Sequence, residues 1–260
     1  MSYINQDVLG IINQYRTTLD QQLNGLLQWI YTQNGNNLFS TNNLKLYSLI
    51  TENIRMDLNY LVSLNPDLDF FGFPGIQRNN RNTIEAFYDL YNLTHVKSYL
   101  SILKYASKNS SVNPEEKNDV INIAKLIDLK CEKNRYGKEY YPITIKTKAD
   151  IALKHDINSL SSDIYELLKR YSTDANAFIH PDIFVPICND KSQKLEELLD
   201  VDCLLLAHSY NLLVVFVNKM YGYTVNFNPY IEYQNLSTLL SNYKGNYILY
   251  NFGYNYNFSN

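Results

Sequence analysis

Apolar residues recur at three- and four-residue steps along most of the chain, which is the spacing of one face of an α-helix. From Val8 to Ile30 this spacing predicts a long first helix, which Asn34-Gly35 ends. A second stretch, from Leu44 to Val62, predicts another helix, with Ser40 and Thr41 as candidate N-terminal caps. Because two such apolar stripes need a partner, we expect an antiparallel helical hairpin over residues 1–64 that packs on the rest of the protein.

The same spacing predicts four further helices, over residues 80–106, 114–131, 156–179 and 196–220. Residues 65–79 are rich in Pro and Gly, which predicts a loop. Residues 133–148 show no regular period, and the tail 221–260 shows no helical one, although Tyr247 to Phe252 is compatible with a strand. The predicted fold is therefore all-α, a bundle of about six helices with an irregular aromatic C-terminal tail, in one compact domain.

The net charge of the chain argues against one class of partner, duplex DNA. The chain carries a net charge of −3, and a duplex DNA-binding domain is usually strongly basic, so no duplex DNA partner is expected. Basic residues do collect between Lys130 and Lys148, among Tyr136, Tyr140 and Tyr141. This segment is either a solvated loop or a small local site for RNA or a nucleotide, and the sequence leaves both open.

The chain contains no pattern typical of secretion, membrane insertion or metal binding. Its first ten residues lack the basic start and apolar run of a signal peptide, and its longest apolar stretch, Val201–Val217, is interrupted by polar residues and predicts a buried helix. Cys131, Cys188 and Cys203 are too far apart in sequence to predict a disulfide framework or a zinc site. We therefore predict a cytoplasmic protein with no metal, no cofactor and no membrane partner.

Two polar segments resemble the HEPN superfamily of all-α bundles, particularly its bacterial uncharacterised and abortive-infection-like branches. One segment, Arg81-Asn82-Thr83-Ile84-Glu85, opens the third helix, and the other, from Tyr171 to His180-Pro181, ends the fifth. The resemblance covers residues 75–220 and rests on these few positions. It implies an up-and-down bundle, often dimeric, whose polar residues meet in a cleft, and its active members are metal-independent endoribonucleases. Those members use an Arg that is followed four to six residues later by a His, and this chain has no Arg and His at that spacing.

Catalysis would then require residues that converge from two helices. His180 could take the proton of a ribose 2′-hydroxyl, Arg81 could hold the scissile phosphate, and Glu85 could orient one of them. Alternatively, Arg81 and Glu85 form an ordinary surface pair one turn apart, and His180 is a helix-terminal residue.

Two functions follow. One is a metal-independent endoribonuclease or toxin in bacterial phage defence. The other is a non-catalytic helical module that binds RNA, a nucleotide or a protein partner. In either case we expect a protein partner or a homodimer.

Overall fold

The computed structural model of this protein describes residues 2–250, except for residues 36–39, 64–72, 97–98, 107–113, 138, 156–161, 180–190 and 244–247. Helices make up most of this part, which confirms the all-α prediction. The nine described helices are α1 Gln6–Asn34, α2 Thr41–Ser63, α3 Phe73–His95, α4 Tyr99–Ala106, α5 Pro114–Leu126, α6 Ile145–His155, α7 Ser162–Ile179, α8 Lys191–Tyr221 and α9 Pro229–Ser241. Two short antiparallel pairs join β1 Ser2–Ile4 to β4 Ile248–Tyr250, and β2 Glu132–Lys133 to β3 Glu139–Tyr140.

Helices α1 and α2 pack against each other through the predicted apolar stripes. Polar contacts along their seam run in opposite order: Arg16 donates to Asn59 at 3.1 Å, and Arg55 donates to Asn24 at 2.9 Å. The pair is therefore antiparallel. Ser40 caps α2, because its hydroxyl accepts a hydrogen bond from the Asn43 amide at 3.2 Å.

One large core joins α1, α2, α3, α7, α8 and α9. Helix α3 packs on α2, α6 and α7, while α8 packs on α2, α7 and α9. The predicted apolar faces of these helices form this main core, and its largest fully buried side chains include Tyr47, Tyr91, Tyr171, Phe87 and Phe216.

A second, smaller core lies beside the first, where α4, α5 and α6 meet. Its buried members are Val96, Tyr99, Ile102, Val120, Ile123 and Ile151. Tyr141 and Ile143, which follow the β2–β3 hairpin, pack against it. The second core therefore holds the hairpin next to α3.

The prediction of one continuous helix over residues 80–106 is wrong at both its start and its middle. Helix α3 already begins at Phe73, with Pro74 in its first turn, where a proline costs no hydrogen bond. It ends at His95, and α4 begins at Tyr99. The interruption allows the Tyr99 hydroxyl to reach back to Asp89 of α3 at 2.6 Å, an arrangement that a straight helix would prevent.

Two helices lie where the sequence predicted irregular structure. Helix α6, residues 145–155, overlaps the last four residues of the segment 133–148 that was expected to be irregular, and α9 covers residues 229–241 of the predicted tail. The strand expected near Tyr247 is present as β4, and its partner is the N-terminal β1.

Helix α8 contains the predicted buried apolar stretch. Over Leu199–Tyr221 it is long and apolar enough to cross a membrane by composition, but 67% of that apolar stretch is buried by other parts of the chain. That burial is what a core helix requires.

Candidate functional site

Two of the three predicted catalytic residues, Arg81 and Glu85, lie in the described part of the chain. Arg81 is exposed on α3, and Glu85 lies one turn further along the same helix. The Glu85 carboxylate contacts the ammonium of Lys148 on α6, at 2.8 Å. His180 lies outside the described residues, so its proximity to Arg81 and Glu85 stays a prediction.

Glu85 belongs to a polar cluster that sequence reasoning missed, formed by Glu85, Asp89, Asn92, Tyr99 and Lys148; we call it the lysine cluster. Lys148 Nζ lies 2.6 Å from Asp89 Oδ2 and 2.8 Å from Glu85 Oε1. The other Asp89 oxygen accepts a hydrogen bond from Tyr99 at 2.6 Å, and the Lys148 carbonyl accepts one from Asn92 Nδ2 at 2.9 Å. Helices α3, α4 and α6 thus meet at Asp89, which accepts from Tyr99 of α4 and pairs with Lys148 of α6.

The environment of Lys148 explains why it needs two carboxylates. Only 8% of its side chain is exposed, and an ammonium removed from water to that degree requires close anionic partners. Burial and the neighbouring Asp89 carboxylate raise the pKa of the Tyr99 hydroxyl far above its usual range, so this hydroxyl stays protonated and donates to Asp89. The cluster is therefore an ordered structural junction, in which the Glu85 carboxylate is already paired with Lys148.

A second cluster joins α7, α8 and α9 around His208. Its Nε2 lies 2.9 Å from Asp174 Oδ2, and its Nδ1 lies 2.8 Å from the Tyr230 hydroxyl. Since a carboxylate only accepts, neutral His208 donates from Nε2 to Asp174 and accepts at Nδ1 from Tyr230. Burial lowers the pKa of His208, while Asp174 opposes that shift. Both ring nitrogens are occupied and the side chain is 2% exposed, so His208 is a satisfied buried histidine.

Two carboxyl groups lie deep in the main core. Asp57 of α2 is buried and accepts a hydrogen bond from Asn79 Nδ2 at 2.8 Å. Burial raises the pKa of Asp57 to about 8, although the hydrogen bond from Asn79 acts against this. Asp202 of α8 is also buried, and burial and then the nearby Asp57 raise its pKa well above the usual range. Burial is the largest cause of both raised pKa values, so it favours the protonated, neutral form of both groups.

The basic segment of the sequence forms a separate surface, which we call the basic lobe: the end of α5, the β2–β3 hairpin and α6 as far as Lys154, residues 125–154. By sequence it contains eight Lys and Arg against four Asp and Glu, a charge of +4 in a chain whose net charge is −3. This count includes Lys148, which is buried and paired with Glu85 and Asp89 of α3. Exposed basic side chains of the lobe are Lys125, Lys130, Lys133, Arg135, Lys146 and Lys154.

Tyr136 stands at the turn of the hairpin in this lobe. It is 75% exposed, more than any other large hydrophobic side chain in the described ranges. The Arg135 guanidinium carbon lies 4.6 Å from the centre of its ring, in a cation–π contact. The turn therefore presents an aromatic face and a stacked guanidinium next to exposed lysines, a combination that fits unpaired bases and phosphates.

The lysine cluster could not have been found by pattern alone, because Lys148 is 59 residues from Asp89 along the chain. The four-residue step from Glu85 to Asp89 was visible, and it places both carboxylates on one face of α3. The basic lobe, by contrast, was visible in the sequence as its run of Lys, Arg and Tyr.

Comparison of the chain with protein-family profiles, with curated protein sequences and with solved structures gave no match.

Proposed function

We propose that this protein is a non-catalytic helical module that binds single-stranded RNA through the basic lobe. The observation that carries the proposal is the hairpin turn, where exposed Tyr136 and stacked Arg135 lie in a segment of charge +4. Exposed aromatic rings stack on unpaired bases whatever their identity, and surrounding cations hold the phosphates. A duplex would offer this turn no accessible base face, which favours single strands.

The state of the polar side chains supports binding over catalysis. A group that transfers protons needs a nitrogen or oxygen that is free to meet the substrate. His208 is buried with both ring nitrogens occupied, and Glu85 is held by Lys148. Of the three residues proposed for catalysis, Arg81 is exposed, Glu85 is partly exposed and paired with Lys148, and His180 lies outside the described residues.

Binding is tested by fluorescence anisotropy with a labelled pyrimidine-rich RNA of about 12 nucleotides, a length within the range of known single-strand sites. Tyr136→Ala should weaken binding by about 5- to 150-fold, because one base–aromatic stack is worth about 1–3 kcal/mol. The matched control is Tyr31→Ala, which removes a tyrosine that is 59% exposed on α1, outside the lobe. Equal affinities for the two variants, or no binding by the wild type, would refute the proposal.

The salt dependence of the same binding curves identifies the phosphate contacts. For single strands the logarithm of the affinity falls with the logarithm of salt concentration by about 0.7 per phosphate neutralised. Lys133→Ala should lower this slope, whereas Lys45→Ala, on α2, should leave it unchanged. Duplex RNA and single-stranded DNA of matching length serve as further ligands. The DNA tests whether the 2′-hydroxyl contributes to binding, because that group is present in RNA and absent from DNA.

The enzyme hypothesis, a HEPN-like endoribonuclease or toxin in bacterial phage defence, is tested in the same mixtures. The binding proposal expects intact RNA after incubation with saturating protein. Cleavage in EDTA that leaves 2′,3′-cyclic phosphate ends would favour the enzyme instead. In that case His180→Ala and Arg81→Ala should each slow cleavage by roughly 10²-fold or more while the protein stays folded.

A further inference from the structure

Lys148 bonds to α3 through both its side chain and its main chain. The ammonium lies between Glu85 and Asp89, and the carbonyl accepts a hydrogen bond from Asn92 Nδ2. The three α3 residues follow one another along the helix at steps of four and three, so they share one face. Lys148 lies in the first turn of α6, just after the β2–β3 hairpin. It is therefore a direct connection between the basic lobe and the main bundle.

The connection is electrostatic as well as steric. Asp89 is 16% exposed and Glu85 is 37% exposed, so the ion pair with Asp89 is the better shielded from solvent. Loss of the ammonium would leave Asp89 with the Tyr99 hydroxyl but without a cation, close to a second carboxylate. Removing one partner of a buried ion pair costs far more than the pair itself contributes.

The lobe is also attached to the rest of the protein by apolar contacts. Ile151 of α6 enters the second core with Tyr99 and Ile102 of α4 and Ile123 of α5. At the far end of α6, Lys154 Nζ donates to the Leu126 carbonyl at 3.2 Å, a contact within the lobe itself. Leu93 of α3 also packs against the second core, and Ala152 of α6 is buried in the main core, so apolar packing places α6 beside α3. The lysine cluster adds the directional polar contacts between the two helices.

We infer that Lys148 is a positioning residue, whose ion pairs with Glu85 and Asp89 fix the basic lobe on α3 in the orientation that binds RNA. The part that concerns RNA rests on the function proposed above. The part that concerns attachment of the lobe does not.

The experiment compares Lys148→Met with Lys146→Met in the full chain. Both remove one positive charge from the first turn of α6, but Lys146 is exposed and Lys148 is buried. We expect hydrogen exchange, read by mass spectrometry, to be about tenfold faster or more in Lys148→Met for amides of residues 99–104 and 139–155. The reason is that Asp89 is left buried without its cation, which destabilises the structure around it. Amides of α1 should be unaffected, and Lys146→Met should resemble the wild type throughout.

RNA affinity supplies the second measurement, under conditions in which every variant is folded. Lys148→Met should bind the single-stranded RNA about tenfold more weakly than Lys146→Met, although the two have equal net charge. Lys148→Arg, which can still pair with both carboxylates, should restore most of the affinity.

Each failure has a distinct signature. Equal exchange in the two methionine variants would overturn the attachment role. Faster exchange of the lobe together with equal RNA affinities would overturn the positioning role. If the wild type binds no RNA, the proposed function fails, and the exchange data alone then decide whether Lys148 holds the lobe.

Discussion

Burial shifts the pKa values of several polar side chains in this protein, and Asp57 is an example. It lies in the main core, hydrogen-bonded to Asn79, and its Coulomb neighbour is another buried acid, Asp202. Proteins tolerate such groups mainly by keeping them protonated. For Asp57 this changes how stability depends on pH.

We predict that the free energy of unfolding falls as pH rises from about 4 to about 8. The pKa of Asp57 is about 8 in the folded protein and near 3.8 when exposed, so between these values the folded state holds a proton that the unfolded state has lost. Each such proton contributes a slope of up to about 1.4 kcal/mol per pH unit. Urea denaturation at several pH values measures the slope.

Asp57→Asn should flatten that dependence, since the amide oxygen can still accept from Asn79 but carries no titratable proton. The matched control is Asp128→Asn on the exposed surface of the basic lobe, at a positive φ of 54° that asparagine also tolerates. Parallel stability curves for wild type and Asp57→Asn would show that Asp57 does not titrate in this range.

At the scale of elements, the helices that sequence reasoning missed bury either few side chains or polar side chains. Helix α9 buries Pro229, Leu236 and Leu240, too few positions to show a helical period. Helix α6 buries Thr147 and Lys148 beside Ile151 and Ala152, so polar residues mask its apolar face. Both helices nevertheless begin with a recognisable cap: Asn228 followed by Pro229, and Thr144, whose hydroxyl accepts from the Thr147 amide at 3.2 Å.

Two tyrosine hydroxyls add polar contacts to the apolar packing of α9 on the bundle. Tyr230 donates to His208, and Tyr233 donates to Asp200 at 2.9 Å. We predict that Tyr230→Phe destabilises the protein by about 1–3 kcal/mol, because it leaves His208 Nδ1 buried without a donor. Tyr31→Phe, at an exposed position on α1, should change stability by less than about 0.5 kcal/mol. Chemical denaturation of the two variants and the wild type measures both effects, and equal midpoints would mean that water replaces the lost hydroxyl.

At the scale of the whole molecule, apolar periodicity was sufficient to predict the helical class and the faces of the long helices. Val8, Ile12, Leu19 and Leu26, which lie on the predicted apolar face of α1, are fully buried. Periodicity could not predict which helices meet, because the joining contacts depend on tertiary placement. The lysine cluster, the contacts of His208 and the pairing of β1 with β4 all join residues distant in sequence.

Among the described residues, α1 and α2 share the main core with the rest of the chain. The Tyr15 hydroxyl donates to the Cys203 carbonyl of α8 at 2.8 Å, and Asn79 of α3 donates to both Asn53 and Asp57 of α2. Removing α1 and α2 would therefore expose the apolar faces of α3 and α8 and also leave buried polar groups without partners.

We predict that residues 65–260 alone do not form a cooperatively folded monomer. Each large apolar side chain that α1 and α2 bury contributes about 1.5–3 kcal/mol, and a typical domain has only about 5–15 kcal/mol of net stability. Circular dichroism melting and size-exclusion chromatography should show a broad transition or association for this fragment and a single sharp transition for the full chain. Adding residues 1–64 as a separate polypeptide should restore the sharp transition, because the missing side of the core is then supplied in trans. A fragment that melts as sharply and at the same temperature as the full chain would instead mean that the helical hairpin lies outside the folding unit.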